Sequence, residues 1–477
     1  MTSTHANNRD DPSHVARVLA EAEAGRLTLV RFLYADHGGI IRGKATSVSM
    51  LAQRLRTGIG HTVAMMAMSM LDTLQSVEGM GPVGEVRITP DPRTFVTLPY
   101  APGAGAMTAD LVRLDGEPWE ACARTFLKQA IAELAAHGYA MQAAYEPEFT
   151  LGRREPASTG QPDALDRLVP IDDSLCYSST GFHLAHDYAV ELAGALQAQG
   201  LQVEHYYPEL GHGQQEMSVR HAPALAAADN HLLYRETVRG VALRRGLWAS
   251  LAPKPIADQA GNGAHLHASL WDLAEDGDVG QPGTRNLFQG SGGPYALSET
   301  GYHFIGGLLT HLPALTALTC ASVNSYRRLA PQTWSSAYTV YGMDNREAAI
   351  RICSPMRDNP GSVNLELKPS DSSANPYLAL GAYIHAGLDG IRNKIDPGEA
   401  VNTDPATLTD TERLRLRAHR LPTSLSAALD ALEADELLME ALGPLRRRAY
   451  LSVKRAEAAA FAAEGADYEC FHHFTKI

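Results

Sequence analysis

The feature that most constrains this chain is a pair of carboxylates inside the apolar segment Ala-Tyr-Glu-Pro-Glu-Phe-Thr-Leu, residues 144–151. Side chains of a β-strand alternate between its two faces, so a strand here directs Glu146 and Glu148 to the same side. Carboxylates this close repel each other, and burying either one is costly unless something compensates its charge. The segment therefore predicts either a solvated sheet face or a cation held beside the two acids.

Three further segments place acids or imidazoles among apolar or glycine-rich neighbours. They are the bend at 207–216 with Glu209 and Glu216, the strand-like segment at 261–271 with His265 and His267, and the segment at 363–368 with Glu366. Taken alone, each has an ordinary structural explanation, such as a solvated glutamate or a hydrogen-bonded histidine pair. Taken together they indicate a cation site, and carboxylates with an occasional histidine suit Mg²⁺ or Mn²⁺ rather than Zn²⁺.

The composition argues against several other classes of protein. The formal net charge of −13 does not favour binding to nucleic acid or to an anionic membrane. The first residues contain no apolar core and no uninterrupted apolar run approaches the length of a membrane helix, so we expect neither a signal peptide nor a span. The five cysteines are scattered without Cys-x-x-Cys spacing, which fits a cytoplasmic location and argues against zinc.

Local patterns predict an α+β chain that divides near residue 115. A helix is expected at 12–24, a strand at 26–34 and a short strand bounded by prolines within 87–100. An amphipathic helix at 123–138 ends at Gly138, and further helices are expected at 183–199, 223–245 and 424–464. Residues 276–294, rich in Gly, Pro and Ser, are expected to form a loop. Strands and helices do not alternate as βαβ units, which disfavours a doubly wound sheet.

The order of these segments and the residues within them resemble the sequence motifs of the glutamine synthetase family. The matching segments are Glu146-Pro147-Glu148-Phe149, Glu209 to Glu216, Gly261 to Leu270, Asn324-Ser325-Tyr326-Arg327-Arg328-Leu329, Asn345-Arg346 to Arg351, Glu366-Leu367-Lys368 and Asn375-Pro376-Tyr377. They cover nearly the whole chain, most closely from about residue 25 to residue 390.

The resemblance implies a small β-grasp N-terminal domain, residues 1–115, and a larger catalytic α+β domain, residues 116–477. In the larger domain a curved antiparallel sheet flanked by helices forms a funnel. The resemblance also implies a homo-oligomer, a dodecamer of stacked rings, in which neighbouring subunits share active sites. The implied substrates are glutamate, ATP and an amine: ATP phosphorylates the side-chain carboxylate, and the amine displaces phosphate from the resulting acyl phosphate.

The resemblance further implies a role for each matching residue. Two or more divalent ions, Mg²⁺ or Mn²⁺, would be held, the first by Glu148, Glu209 and Glu216 and the second by Glu146, His265 and Glu366. His267, Arg328, Lys368 and Gly261 would bind glutamate, Arg346 and Arg351 would face the transferring phosphoryl group, and Ser269 with Arg346 would contact the nucleotide. Such a mixture of charges suits phosphoryl transfer, because positioning and charge neutralisation are its main requirements.

One departure from the family concerns the nucleophile. Ammonia-using members carry a glutamate six residues beyond the arginine that matches Arg328, and this chain has Trp334 there. No acid lies between Leu329 and Met343, so a small shift of the loop restores none. An indole offers an apolar wall or a π face rather than a proton acceptor. The sequence therefore predicts an organic primary amine as substrate, with Trp334 and Asp36 in the amine pocket and Asp36 as a base.

Two other functions stay open from the sequence alone. The chain could be an ordinary glutamine synthetase with an unusual loop, which would use ammonia. It could also be an inactive relative that serves a structural or regulatory assembly. The inactive alternative predicts eroded metal ligands, whereas all six predicted ligands are present.

Overall fold

A computed structural model of the chain describes residues 11–156, 165–274, 280–290, 295 and 297–477. Among these residues the strands form two sheets, one of six strands near the N-terminus and one of eleven strands in the remainder of the chain. Helices pack around both sheets, as the α+β prediction requires. No described helix is both long and apolar enough to cross a membrane.

The first sheet is mixed and has the strand order β2-β1-β6-β4-β3, with β5 added beside β6. Its strands are β1 Leu29–Ala35, β2 Ile41–Ser47, β3 Ile59–Thr62, β4 Glu85–Pro90, β5 Val96–Thr97 and β6 Ala104–Val112. Strands β1 and β6 run parallel and the other pairs are antiparallel. Helices α1 Pro12–Ala24 and α2 Val48–Thr57 accompany this sheet. The predictions of a helix at 12–24 and of a strand within 26–34 are confirmed.

The second sheet has the strand order β15-β16-β17-β13-β7-β10-β9. Its strands are β7 Tyr139–Glu155, β8 Arg167–Pro170, β9 Val203–Pro208, β10 Gln214–Val219, β11 Ala222–Pro223, β12 Trp248–Ser250, β13 Ala264–Leu273, β14 Pro282–Asn286, β15 Tyr341–Met343, β16 Ile350–Cys353 and β17 Asn364–Leu367. Neighbouring strands are antiparallel except for β15 and β16, which run parallel. The expected antiparallel sheet is therefore confirmed apart from that edge pair, and the long strand β7 is its central element.

Helices of the larger region pack against this sheet and against each other. They are α3 Ala123–Ala136, α4 Ser179–Ala198, α5 Ala224–Arg244, α6 Glu299–Thr319, α7 Ser325–Arg328, α8 Pro376–Asn393, α9 Asp410–Arg415, α10 Leu425–Ala434, α11 Glu436–Leu442, α12 Pro444–Ala462 and α13 Ala466–Lys476. Gly138 has a φ of +81°, which lets the chain reverse after α3 as predicted. The helices expected at 183–199, 223–245 and 424–464 are confirmed, the last as three helices.

The expectation of a loop at 276–294 is wrong in part. Residues Pro282–Asn286 form β14, which pairs with β13. The Asn286 amide donates to the carbonyls of Gly361 and Val363, each at 2.7 Å. These contacts come from distant parts of the chain, which is why the local composition did not indicate a strand. Residues 275–279 and 291–294 lie outside the described residues.

A buried ionic network joins the two sheets through α3. Arg124 is buried, and its guanidinium binds Asp229 at 2.8 and 2.9 Å, Asp91 at 2.9 Å and Asp110 at 3.2 Å. Asp91 and Asp110 belong to the N-terminal sheet region, whereas Asp229 lies on α5. The contacts with Arg93 and Arg124 outweigh burial and hold the pKa of Asp91 well below its usual range. The network therefore connects the smaller region to the larger one.

A second polar contact holds three helices together. His311 on α6 lies 2.7 Å from Asp435, which caps α11, and 3.2 Å from Asp389 on α8. Burial alone would lower the pKa of His311, but Asp435 and Asp389 together outweigh it and raise the pKa. The imidazolium form is thus stabilised by folding.

This contact predicts a pH dependence of stability. Because the pKa of His311 is higher in the folded chain, its contribution is complete below the unfolded value of about 6.5 and is lost as pH rises through the folded pKa. We expect the wild type to have a higher melting temperature than a His311→Gln variant at pH 5.5. The difference in melting temperature should be smaller at pH 8.5. Thermal unfolding at both pH values measures this. A difference that grows with pH would contradict the assignment.

Candidate active site

The site residues come together because the strand register places them opposite each other across the second sheet. His265 on β13 pairs with Glu146 on β7, and Glu216 on β10 pairs with Glu148 on the other side of β7. In the other direction His267 pairs with Glu366 on β17, and Arg351 on β16 pairs with that same glutamate. Side chains that share one face of the sheet therefore form a continuous charged surface.

Among the described residues, one group of possible ligands is compact enough to hold a metal ion: Glu146, His267 and Glu366, whose ligand atoms all lie within 4.8 Å of one another. The His267 Nδ1 lies 2.9 Å from the Asn364 Oδ1, which orients the ring with Nε2 3.3 Å from Glu146. Fixing the orientation of a ligating histidine through its other nitrogen is a common feature of metal sites. The donor set of two carboxylates and one imidazole fits Mg²⁺ or Mn²⁺.

The position of His265 differs from the expectation for the second ion. Its Nδ1 lies 3.1 Å from Glu366 and 3.6 Å from Glu146, so it contacts both carboxylates. Its Nε2, however, accepts a hydrogen bond from the Arg328 guanidinium at 2.9 Å. An acceptor at Nε2 leaves the proton of the neutral ring on Nδ1, where it donates to Glu366. In this arrangement His267, rather than His265, presents the free nitrogen to the two acids.

The other predicted ligand set comprises Glu148 on β7, Glu209 directly after β9 and Glu216 on β10, and it does not form so compact a group. Glu148 accepts from the Gln214 side chain at 2.7 Å and from the Gly263 N–H at 3.0 Å. The carboxylate of Glu216 accepts from the Tyr207 hydroxyl. Burial, followed by repulsion from Glu146 and Glu148, raises the pKa of Glu216 to about 10. A cation beside these acids would relieve that repulsion, which supports a second ion site here.

Positive groups surround Glu366, which is only 1% exposed. The Arg351 guanidinium lies 2.5 Å from one of its oxygens, and the Lys368 ammonium lies 3.4 Å from the other. Burial alone would raise the pKa of Glu366, but Lys368, His265 and His267 hold it well below its usual range. The Arg351 Nε is buried without a partner, so this guanidinium keeps an unused donor. Arg351 and Lys368 therefore both lie beside the compact ligand group that contains Glu366.

The glycine-rich segment before β13 is needed for close packing at the site. A Cβ on Gly263 would lie 2.5 Å from the His265 Nε2 and 2.7 Å from the Arg328 guanidinium. The prediction named Gly261, whose carbonyl accepts from Gln214 at 3.0 Å, but did not identify Gly263. Glycines near a polar cluster were the available signal, because glycine permits close approach of backbone to side chains.

The predicted nucleotide contacts lie at the edges of this surface. Ser269 is on β13, two residues beyond His267 on the same strand, and its hydroxyl accepts from the Trp271 indole at 2.8 Å. Arg346 is exposed in the turn between β15 and β16. Arg346 is thus exposed, whereas Arg351 contacts the buried Glu366.

Asp36, which the sequence predicts in the amine pocket, is enclosed within its own chain. Its side chain is 0% exposed, with one carboxylate oxygen 2.5 Å from the Arg42 Nε and the other accepting from the Ile40 N–H at 2.9 Å. Burial raises the pKa of Asp36 even though Arg42 is adjacent. Within this chain the carboxylate is therefore held by Arg42 and by the Ile40 N–H, and its role as a base stays a prediction.

Trp334 is 58% exposed, in a loop that directly follows Arg328 and α7. Its backbone N–H donates to the Glu347 carboxylate at 2.6 Å. The sequence interpretation looked for acids only between residues 329 and 343, so it missed Glu347, which reaches the loop from the turn before β16. Only the folded chain reveals this contact.

Comparisons with known proteins agree with this geometry. The family model for the catalytic domain of glutamine synthetase matches residues 120–472. The family model for the glutamine synthetase N-terminal domain matches residues 14–119. The gamma-glutamylpolyamine synthetase GlnA3 of Streptomyces coelicolor is 36% identical over 466 residues, which cover 96% of this chain and 95% of that protein. The glutamine synthetase of Halobacterium salinarum is 33% identical over 489 residues, covering 100% of both chains.

Solved structures show the same fold. A novel glutamine synthase homolog superposes with a TM-score of 0.81 at 33% identity and covers 94% of this chain and 99% of its own. A GmaS–ADP complex superposes with a TM-score of 0.79 at 31% identity, covering 95% of this chain and 98% of its own. The structural similarity therefore covers both sheets, including the strands of the second sheet that carry the candidate site.

Proposed function

The chain belongs to the glutamine synthetase family and is an ATP-dependent ligase, and we propose that it joins the γ-carboxylate of glutamate to a primary organic amine. The products would be a γ-glutamylamide, ADP and phosphate, formed through a γ-glutamyl phosphate. The observation that carries this proposal is Trp334, exposed in the loop where ammonia-using members of the family have a glutamate. The similarity to a gamma-glutamylpolyamine synthetase supports an organic amine.

The charged surface supplies what such a reaction requires. Glu146, His267 and Glu366 would hold one divalent ion, with His265 beside them, and Glu148, Glu209 and Glu216 would hold another. A divalent ion held by these residues would supply positive charge to neutralise the phosphates of ATP. Arg351 and Arg346 would stabilise the transferring phosphoryl group, while Arg328 and Lys368 would bind the glutamate carboxylate.

The amine is selected at the loop. An alkylamine has a pKa near the lysine reference of about 10.4 and enters as a cation that must lose a proton before it attacks. Trp334 offers that cation a π face and offers its carbon chain an apolar surface. We therefore expect amines with apolar bulk to be better substrates than ammonia, and arylamines, already neutral, to need no base.

The test is phosphate release from ATP with Mg²⁺ and glutamate across a panel of amines. The panel comprises ammonia, methylamine, isopropylamine, ethanolamine, putrescine, spermine and aniline. We expect an organic amine to give the highest kcat/KM. Equal or better turnover with ammonia than with every organic amine would refute the proposal.

A Trp334→Glu variant sharpens this test, and Trp334→Phe is its matched control. A charged hydrogen bond to ammonium is worth about 1.5–3 kcal/mol, so the glutamate variant should shift the ammonia-to-amine ratio of kcat/KM by about tenfold or more. The phenylalanine variant keeps an aromatic face and should leave the ratio near that of the wild type. If both variants had the same ammonia-to-amine ratio of kcat/KM, Trp334 would not be the residue that selects the amine.

The second candidate function is an ordinary glutamine synthetase. It is favoured by the similarity over the full length of both chains to the Halobacterium salinarum enzyme. The panel decides between the two functions, because this alternative predicts turnover with ammonia alone. The stacked-ring dodecamer stays a prediction that light scattering of the purified protein would test.

A further inference from the structure

The loop at residues 330–336 has an unusual backbone. Gln332, Trp334 and Ser336 have φ values of +62°, +56° and +66°, and none of them is glycine. Non-glycine residues seldom adopt this left-handed conformation, and three in alternation within one loop is a concentration of strain. Such strain persists only where the surroundings hold the backbone in place.

The two ends of the loop are held by contacts outside it. The Arg420 guanidinium donates to the carbonyl of Leu329 at 2.8 Å and to that of Ala337 at 2.7 Å. The hydroxyl of Ser336 donates to the carbonyl of Ala348 at 2.9 Å. These bonds define where the loop starts and ends, but they leave the conformation at its centre to other contacts.

The centre of the loop is held by Glu347. Its carboxylate accepts the Trp334 N–H at 2.6 Å. This side chain thus binds the backbone of the middle one of the three strained residues. Glu347 is only 9% exposed, so few water molecules compete for this bond.

Glu347 is itself held in a fixed position. Its backbone N–H donates to the Asn345 side chain at 3.0 Å. The amide of Asn345 in turn donates to the carbonyls of Val401 and Thr403 at 2.7 and 3.0 Å. The carboxylate is therefore placed by the main body of the protein rather than by the loop that it binds.

We propose that Glu347 is a positioning residue that, by binding the backbone of Trp334, fixes the indole of Trp334 and so determines which amines the enzyme accepts. The inference rests on the proposed amine-ligase function and deepens it. The loop begins directly after Arg328, which contacts His265 in the charged cluster. A glutamate outside the loop thereby controls selection within it.

The test uses Glu347→Ala, which removes both acceptors, and Glu347→Gln, which keeps one carbonyl oxygen. Asp404→Asn is the matched control, because Asp404 contacts the side chain of Gln332, at 3.0 Å, rather than the loop backbone, and its other oxygen accepts from the Ala406 N–H at 2.8 Å. Acrylamide quenching of Trp334 fluorescence reports the loop directly when the signal of the corresponding Trp334→Phe protein is subtracted. This readout needs no turnover.

We expect Glu347→Ala to change the quenching of Trp334 and to raise the amine KM about tenfold, the effect of losing one charged hydrogen bond. The KM values of glutamate and ATP should stay within about threefold, since this corresponds to less than 1 kcal/mol. Glu347→Gln should lie closer to the wild type in both readouts, and Asp404→Asn should match the wild type.

Three results would overturn the inference. Quenching that changes without any change in amine preference makes Glu347 structural only. Amine preference that changes without any change in quenching means that Glu347 acts on the amine itself and not through Trp334. If neither the quenching nor the amine preference changes, Glu347 neither holds the loop nor determines which amine is accepted. If the wild type uses ammonia alone, the proposed function fails in the amine panel, and the quenching still shows separately whether Glu347 holds the loop.

Discussion

Replacing Glu366 with glutamine is expected to lower glutamate-dependent phosphate release at least about a hundredfold, because one carboxylate serves several partners at once. It contacts Arg351 and Lys368 at 2.5 and 3.4 Å and belongs to the compact group with Glu146 and His267. Glutamine keeps the volume but removes the charge that would bind a cation. The measurement is kcat for phosphate release at saturating Mg²⁺, ATP and glutamate.

The matched control for Glu366→Gln is Glu399→Gln. Glu399 also pairs with an arginine, Arg415, but its side chain is 69% exposed, so we expect activity within about twofold of the wild type. Stabilisation of the protein by Mg²⁺ with ATP should also diminish in Glu366→Gln and persist in the control. A Glu366→Gln enzyme that melts like the wild type and keeps more than a third of its kcat would exclude Glu366 from the metal site.

Replacing Arg124 with alanine is expected to lower the free energy of unfolding by about 3–5 kcal/mol. The guanidinium is buried among Asp91, Asp110 and Asp229, and its removal leaves these acids without their shared partner. Because the network joins the N-terminal sheet to α5, we also expect unfolding in two steps, with the smaller region separating first. Urea unfolding followed by tryptophan fluorescence and by circular dichroism measures both effects.

Arg113→Ala is the control for this prediction. Arg113 also contacts two acids, Asp115 and Glu120, but these pairs are exposed, so the change should cost no more than about 1 kcal/mol. Equal midpoints for the two variants would show that the buried network contributes little. A single coincident transition for Arg124→Ala would show that the two regions unfold together without it.

The sequence predicted the site residues better than their arrangement. Glu146 and Glu148 were identified because acids inside an apolar strand are rare and two-residue spacing places both on one face. The same reasoning found His265 and His267. It did not determine which imidazole nitrogen is free, since that depends on Asn364 and Arg328, which come from other strands and loops.

The features that the sequence did not indicate have the same physical origin. The contact between Asp36 and Arg42 forms because the turn between β1 and β2 folds Arg42 onto the carboxylate. Strand β14 was expected to be loop, because the carbonyls that bind Asn286 lie about seventy-five residues further along the chain. Glu347 was missed because the search for an acid followed the chain rather than the space around Trp334.

The sequence by itself determined the family, the α+β class, most helices and the set of charged residues, because side-chain periodicity and ordered motifs are local properties. Only the tertiary structure decided that His267 completes the compact ligand group, that Asp36 is enclosed and that Glu347 binds the loop carrying Trp334. These features depend on strand register and on contacts between residues distant in sequence. Hydrogen bonds and charge interactions act over a few ångströms in space, and only the fold determines which groups come that close.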